Sequence, residues 1–220
     1  MLSVIIPTLN AGKYLKPLLH QVGPVCQDIV VTDGGSRDET LALALASGAR
    51  LAVGCKGRGW QLARGAKWAR GDWLFFIHAD TVLSDGWAEA VESHMRDFPE
   101  KSGYFRYALD AQGVWPKLVS GFVWLRSKLL ALPYGDQGLL ISRALYEEIG
   151  GFPDWDLFED VAIIRALGRQ RLRQLPARAI TSAARYETQG YLRRGLRNLS
   201  LIIRFTFGAD PQKLKALYYK

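Results

Sequence analysis

Two apolar patterns alternate along the first half of the chain. Residues 2–6, 28–32, 50–53 and 72–77 are short apolar runs, several rich in β-branched side chains, as in strands buried on both faces. Between them, apolar residues recur three and four apart. Residues 12–22 (Tyr14, Leu15, Leu18, Leu19, Val22), an Ala- and Leu-rich run ending at Ala46, and residues 57–70 therefore predict helices. Pro7 ends the first strand, Gly48 ends the second helix, and Ser36 or Asp38 is placed to cap that helix. Strands separated by helices predict an α/β fold, a mainly parallel sheet with helices on both faces. The second half is less regular. Its pattern predicts a helix over 85–98, a strand over 103–109, an unusually apolar helix over 115–132 and a short strand over 137–142. Helices over 143–150 and 160–168 follow, then two basic, aromatic helices over 190–207 and 211–219. No repeat or linker interrupts the chain. The expected organisation is one domain over 1–185, with halves 1–82 and 83–185, and a helical extension over 186–220.

Composition narrows the class. With 49% hydrophobic and 23% charged residues, 220 residues make neither a disordered nor a fibrous chain. The formal charge is +8, but residues 185–220 carry eight basic and two acidic side chains, leaving only +2 for the rest. That body offers no broad basic footprint, and no nucleic-acid-binding motif is present. Cys26 and Cys55 are too few for a disulfide framework and are expected as buried free thiols. The start, Met1-Leu2-Ser3-Val4-Ile5-Ile6-Pro7, has no basic segment followed by a long apolar one, so a cytoplasmic protein is expected. No window of 18 residues is apolar enough to span a bilayer.

In open parallel sheets, ligands bind beyond the carboxyl ends of the strands. Here those ends are Pro7-Thr8-Leu9-Asn10, Asp33-Gly34-Gly35-Ser36, residues 54–59 and His78-Ala79-Asp80, all rich in glycine or in small polar and acidic residues. Asp80 is suited to a hard cation that bridges phosphates, and Asp33 to a nucleobase or ribose donor; alternatively each simply caps a turn. Residues 54–59, with Lys56 and Arg58 at a helix start, suit a diphosphate or else form a solvated loop. Gly57-Arg58-Gly59-Trp60-Gln61-Leu62 lacks the third glycine of a dinucleotide fingerprint, and no phosphate loop of the Gly-x-x-x-x-Gly-Lys type is present. Glu159-Asp160 opens a helix, where two acids act either as a catalytic pair or as ordinary first-turn residues.

In order along the chain, Val4-Ile5-Ile6-Pro7-Thr8-Leu9-Asn10, Val30-Val31-Thr32-Asp33-Gly34-Gly35-Ser36, Phe75-Phe76-Ile77-His78-Ala79-Asp80 and Phe158-Glu159-Asp160 resemble the motifs of family 2 glycosyltransferases. The resemblance covers about residues 2–170. The Asp-Gly-Gly-Ser form and Gly57-Arg58-Gly59-Trp60-Gln61 resemble a small bacterial subgroup. It implies the GT-A fold, a nucleotide-binding half joined to an acceptor-binding half. It further implies that Pro7, Thr8 and Leu9 line the nucleobase pocket and that Asp33, with Gly34 beside it, meets the base. Arg58 and Ala79 would contact the nucleotide or its diphosphate. Asp80, with His78 as a candidate second ligand, would hold Mn²⁺ or Mg²⁺, and Asp160 would be the general base with Glu159 orienting it or competing for the role. The implied reaction is inverting transfer of one sugar from a nucleotide sugar, with UDP favoured, to an acceptor hydroxyl. Two departures stand out: His78-Ala79-Asp80 replaces the usual Asp-x-Asp, and the Gln-x-x-Arg-Trp motif of processive synthases is missing, with Arg185-Tyr186 in a loosely related place. A nucleotidyltransferase would need a Gly-rich basic signature after the first strand, which residues 7–12 lack; a degenerate binding protein is the remaining alternative.

Of the aromatics in the acceptor half, Trp115, Trp124, Tyr134 and Trp155 are candidates to stack on a sugar, and Asp136 and Gln137 are candidates for acceptor or donor-sugar contacts. The tail joins Arg193, Arg194, Arg197 and Arg204 to Leu196, Leu199, Ile202, Ile203, Phe205 and Phe207. Such a helix either lies on an anionic bilayer, at the inner face of the membrane and near a lipid-linked acceptor, or packs its apolar side on the domain or on a second subunit.

Overall fold

Val4, Ile5 and Ile6 are inaccessible to solvent because β1 (Leu2–Thr8) runs through the interior of an eight-stranded sheet. The computed structural model describes residues 1–218; Tyr219, the expected end of the last helix, lies outside them. β1 pairs in parallel with β2 (Asp28–Asp33) and with β4 (Trp73–Phe76), and β3 (Arg50–Val53) extends the sheet beyond β2. The crossovers are α1 (Gly12–Val22), α2 (Thr40–Ala46) and α3 (Arg58–Trp68). Alternate residues of β1 enter different cores, as a period of two requires. Val4 and Ile6 face a cluster with Leu15 and Leu18 of α1 and Trp87 of α4 (Trp87–Asp97), whereas Ile5 faces Leu62 of α3 and Ile163 of α7 (Glu159–Leu167).

The sheet continues into the second half of the chain. In chain order, the remaining strands are β5 (Thr81–Leu83), β6 (Ser102–Asp110), β7 (Leu139–Ser142) and β8 (Leu172–Ser182). Their order across the sheet is β3-β2-β1-β4-β7-β6-β8-β5. β7 is antiparallel to β4 and to β6, β8 is parallel to β6, and β5 closes the edge antiparallel to β8. The other helices are α5 (Val114–Leu130), α6 (Arg143–Glu148), α8 (Ala184–Gln189), α9 (Tyr191–Thr206) and α10 (Pro211–Tyr218). Expected bounds shift by a few residues. The strand foreseen from Gln137 starts at Leu139, because Gly135–Gln137 is a single 3₁₀ turn.

The pattern did not foretell β5, β8 or α8. In β8 the inward residues Leu175, Ala177, Ala179 and Thr181 are mostly small, and Pro176 interrupts the run. The ladder slips at that proline: Tyr104 faces Gln174, but Arg106 faces Arg178. A bulge tolerates a residue without an N–H. Of the two capping candidates, Asp38 serves the start of α2. Its carboxylate accepts from Thr40 N at 3.1 Å and from Gly12 N at 3.0 Å, tying α2 to α1, while Ser36 is drawn to Asn10 and Asp33. Cys26 is buried, which pushes its thiol up to about 11, but Cys55 is exposed on the polar loop after β3, so only one of the two thiols is a core residue.

The tail packs on the domain along one side of α9. Leu201 and Leu214 of α9 and α10 join Leu157, Phe158 and Val161 in a third cluster. Leu192, Leu196, Leu199, Ile203 and Phe207 remain exposed. Among the described residues, no helix is long and apolar enough to cross a membrane.

α3 lies close on the sheet at Gly65, where a Cβ would overlap Ile5 Cγ2 and come within 3.1 Å of Thr32 Cγ2. Gly65→Ala should cost about 1–3 kcal/mol through overpacking and lower the melting temperature by roughly 2–10 °C for a domain of this size. A thermal scan with an unchanged midpoint would show that α3 can withdraw without penalty.

Candidate functional site

Two clefts open at the carboxyl edge of the sheet. The outer one encloses about 1170 Å³, counting its open mouth. Pro7, Thr8 and Leu9 at the end of β1 form one wall, Lys56 and Arg58 at the start of α3 another, and His78, Ala79 and Asp80 the floor. Lys215 of α10 reaches its rim and holds Asp156 at 2.6 Å. The inner cleft encloses about 1020 Å³ between β6, α5, α7 and α9. Tyr134, Asp136 and Asp160 line it, with Arg126 of α5 and Arg194 of α9. Arg58, His78, Asp80, Ser182 and Arg185 belong to both linings, so the two clefts meet at this seam.

The unforeseen strands set that seam. Asp80 directly precedes β5, and its carbonyl accepts from Ser182 N at 3.0 Å, the last residue of β8. Thr81 and Thr181 pair across the ladder, their hydroxyls 3.1 Å apart. Arg185 follows in the first turn of α8.

Asp33 and Gly34 stand apart from the other expected residues. Asp33 is fully buried at the end of β2, outside the outer cleft. Its Oδ1 accepts from the Thr8 hydroxyl at 2.9 Å and from the Ser36 hydroxyl. Its Oδ2 accepts from Gly35 N at 2.8 Å and Ser36 N at 2.7 Å. A carboxylate has about four lone-pair sites, and all are occupied, three by its own loop and one by Thr8 of β1. In this geometry Asp33 shapes the loop, and the expected contact with a base requires one of these bonds to exchange. Gly34 N donates to Thr8 O at 3.0 Å, and Gln61, almost wholly buried, donates from Nε2 to Thr8 O and Thr32 O at 2.8 and 2.7 Å. Gln61 thus clamps α3 onto the ends of β1 and β2, a role that residue type alone did not reveal.

Glu159 and Asp160 separate by function of position. Phe158, which precedes them, has φ +66°, a left-handed conformation uncommon for a bulky residue. Its ring stacks on Phe205 of α9 with centroids 4.5 Å apart. Glu159 turns inward, is buried, and lies 3.5 Å from Arg58 Nε. Asp160 turns to the inner cleft; its Oδ2 accepts from Gly135 N at 2.9 Å and its Oδ1 from Val161 N at 2.8 Å. A side chain at Gly135 would be tight here: a Cβ would sit 3.0 Å from His78 Nε2 and 3.4 Å from Asp160 Oδ2.

Burial dominates the electrostatics. It pushes Glu159 up to about 7 against the pull of Arg58, and Asp136 up to about 6 against Arg126. It drives His78 down to about 4, aided by Arg58, so the imidazole is neutral at pH 7 and its nitrogen lone pair is available. Among the described residues no group of three or more His, Cys, Asp or Glu is placed to enclose an ion. Asp80 and a neutral His78 both line the seam and are the residues that could hold a divalent ion there, with ligand oxygens and water completing its shell.

Of the remaining candidates, Tyr134 and Asp136 line the inner cleft. Gln137 is buried and structural, donating to Phe105 O at 3.0 Å and accepting from Ser127 Oγ at 2.8 Å. Trp155 packs edge-on against Phe205, and Trp115 and Trp124 are exposed. Sequence reasoning missed Arg126, Tyr107 and Lys215, and it did not place α9 and α10 as walls of the clefts. The buried Arg194 was a legible hint only in part, since an arginine inside an amphipathic helix is ordinarily read as solvated.

Comparison with known proteins agrees with this architecture. The family model described as glycosyl transferase family 2 matches residues 3–128. A PGL/p-HBAD biosynthesis glycosyltransferase of Mycobacterium bovis is 39% identical over 93 residues, covering 38% of this chain and 36% of that protein. The chain thus spans little more than a third of the length of the curated relatives it matches. Glucosyl-3-phosphoglycerate synthase from Mycobacterium tuberculosis, solved with Mn²⁺, UDP and glucosyl-3-phosphoglycerate, superposes with a TM-score of 0.59 at 21% identity, over 83% of this chain and 70% of its own. S. aureus TarS, solved with UDP-GlcNAc, gives 0.62 at 17% identity, over 99% of this chain and 70% of its own. Both likenesses are of fold, the GT-A arrangement. With more than half of its length matched by the family model, the chain belongs to glycosyltransferase family 2.

Proposed function

We propose that the protein transfers one sugar from a nucleotide-sugar donor, a UDP-sugar, held in the outer cleft to a hydroxyl presented in the inner cleft, with inversion at the anomeric carbon. The observation that carries this reading is the shared seam: Arg58, His78, Asp80 and Arg185 line both clefts, and Asp160 opens onto the inner one. Glucosyl-3-phosphoglycerate synthase and TarS, which share the fold, were solved with UDP or a UDP-sugar, and the former with Mn²⁺. Their ligands are the support for a uridine donor and a divalent ion in this chain.

Each residue has a defined task in that reaction. Pro7, Thr8 and Leu9 form the wall for the nucleobase, on a loop that Asp33, Gly34 and Gln61 hold rigid. Lys56, Arg58 and Arg185 set positive charge around the diphosphate, where negative charge grows as the bond to the anomeric carbon breaks. Ala79, small and buried, leaves room at the floor. Asp80 and His78 would hold Mn²⁺ or Mg²⁺, whose chemistry is to neutralise the leaving diphosphate. Asp160 takes the proton of the acceptor hydroxyl as its oxygen attacks the anomeric carbon and the electron pair of the old bond leaves with the diphosphate. Two backbone N–H bonds fix the Asp160 carboxylate, and each of its oxygens keeps a lone pair for that proton. Glu159 is the positioning partner of Arg58 and does not reach the acceptor.

Three outcomes test this. UDP with Mn²⁺ at 100 times its Kd should add about 2.7 kcal/mol, a shift of roughly 5–10 °C; Asp80→Ala should abolish the Mn²⁺-dependent part. Persistence of the full shift in that variant would remove Asp80 as the ion's ligand. Asp160→Asn should bind donor normally and lose transfer by ~10²–10⁴-fold, and full activity would exclude it as base. The third outcome concerns pH. A carboxyl raised in the folded state stabilises the fold below its unfolded value of 4.5, and that contribution fades as pH rises through about 7. Glu159→Gln removes the titration, so melting temperatures followed between about pH 5.5 and pH 8.5 should fall for the native protein relative to the variant. Parallel curves would show that Glu159 is not a buried neutral acid near pH 6.

A further inference from the structure

We propose that the uncovered faces of α5 and α9 form one docking surface for an anionic lipid bilayer. On α5, Trp115, Leu118, Phe122, Leu125 and Leu129 are exposed, spaced three and four apart, as a single stripe. The opposite flank of that helix, with Val119, Val123 and Ser127, packs inward. α9 carries a matching stripe, Leu192, Leu196, Leu199 and Ile203, continued by Phe207, which is 86% exposed. The two helices are neighbours and together wall the inner cleft, α5 through Val123 and Arg126, α9 through Arg194 and Asn198. Isolated exposed apolar residues are ordinary, but ten in two stripes on adjoining helices are not.

Charge decides what covers them. Neither α5 nor α9 contains an acidic residue. Lys117 and Lys128 flank the first stripe, and Arg193 and Arg204 flank the second, all four exposed. A second copy seated by two-fold symmetry would bring these basic residues toward basic residues, with no carboxylate on either helix to answer them. Anionic headgroups supply the missing countercharge, while Trp115 and Trp124 have the half-apolar, half-polar character that favours the headgroup boundary. Docked this way, the surface places the inner cleft beside the bilayer, suited to an acceptor hydroxyl carried on a lipid anchor; that last step rests on the transferase reading, whereas bilayer binding does not.

The test is flotation of the full chain with vesicles of phosphatidylcholine alone or with about 30% phosphatidylglycerol. Binding is expected to the anionic vesicles, to weaken when salt is raised from about 0.1 to 0.5 M, and to be slight on phosphatidylcholine alone. Phe122→Ser with Leu196→Ser, both at exposed positions, should abolish it. Arg193→Gln with Arg204→Gln should weaken it on the order of 30-fold, two basic residues' share of surface attraction. Each variant is checked for an unchanged melting temperature and an unchanged UDP shift, so loss of binding is not loss of fold. Equal flotation of either double variant, equal binding to both vesicle types, or no flotation of the folded native chain would overturn the proposal. So would a dimer, seen by sedimentation without lipid, that Phe122→Ser with Leu196→Ser dissolves. A protein that binds vesicles but shows no UDP shift would retain the docking surface and lose only the transferase reading.

Discussion

The antiparallel pairing of β7 with β4 is the constraint on which the site depends. Phe76 faces Leu139 and Trp73 faces Ser142, so the chain enters β7 at the edge where it has just left β4. The residues after β4 and those before β7 are therefore forced together. His78 and Asp80 meet Tyr134, Gly135 and Asp136, although more than fifty residues separate them in the sequence. Had β7 run parallel, the 3₁₀ turn would lie at the far end of the sheet, and Asp160 would have no backbone N–H from Gly135. One strand orientation thus brings Tyr134, Gly135 and Asp136 to the seam and orients the carboxylate of Asp160.

Around that seam, low dielectric separates the titrating groups. Glu159 and Asp136 are raised while His78 is lowered, all chiefly by burial. Each shift favours the neutral form. With Glu159 raised to about 7, the charge of Arg58 beside it is only partly cancelled near neutral pH. That bias suits a polyanionic donor and leaves a neutral imidazole nitrogen beside Asp80. The two carboxyl groups adjacent in sequence are also held differently: Glu159 is buried against Arg58, and Asp160 is tethered by backbone donors at the cleft.

Much of this was legible in the chain. The runs in the first half alternate cleanly because each strand is buried on both faces, and the strand ends carry the chemistry because that edge is where the loops converge. The order of motifs then pointed to Asp80 and Asp160. Three things were hidden. β8 was invisible because alanines and Pro176 carry little strand signal, and its location is set by pairing with β6. The satisfied lone pairs of Asp33 depend on Thr8, twenty-five residues away, and on the loop's backbone, which residue types do not report. Apolar and basic residues predict two faces for α9, but it has three. The face with Arg194 and Leu201 is buried, one is apolar and exposed, and one is basic.

The stack of Phe158 on Phe205 gives the C-terminal helix a further meaning. A bulky residue stays in the left-handed region only where its surroundings hold it there, and here α9 supplies the holding ring. The backbone step that aims Asp160 at the cleft is therefore secured by a helix whose other side faces outward. A substitution on that outward side that shifts α9 is felt at Asp160 through the packing of Phe158 on Phe205 and Leu201. The outward face and the setting of Asp160 are thus carried by one helix of sixteen residues, and a change in its placement reaches both.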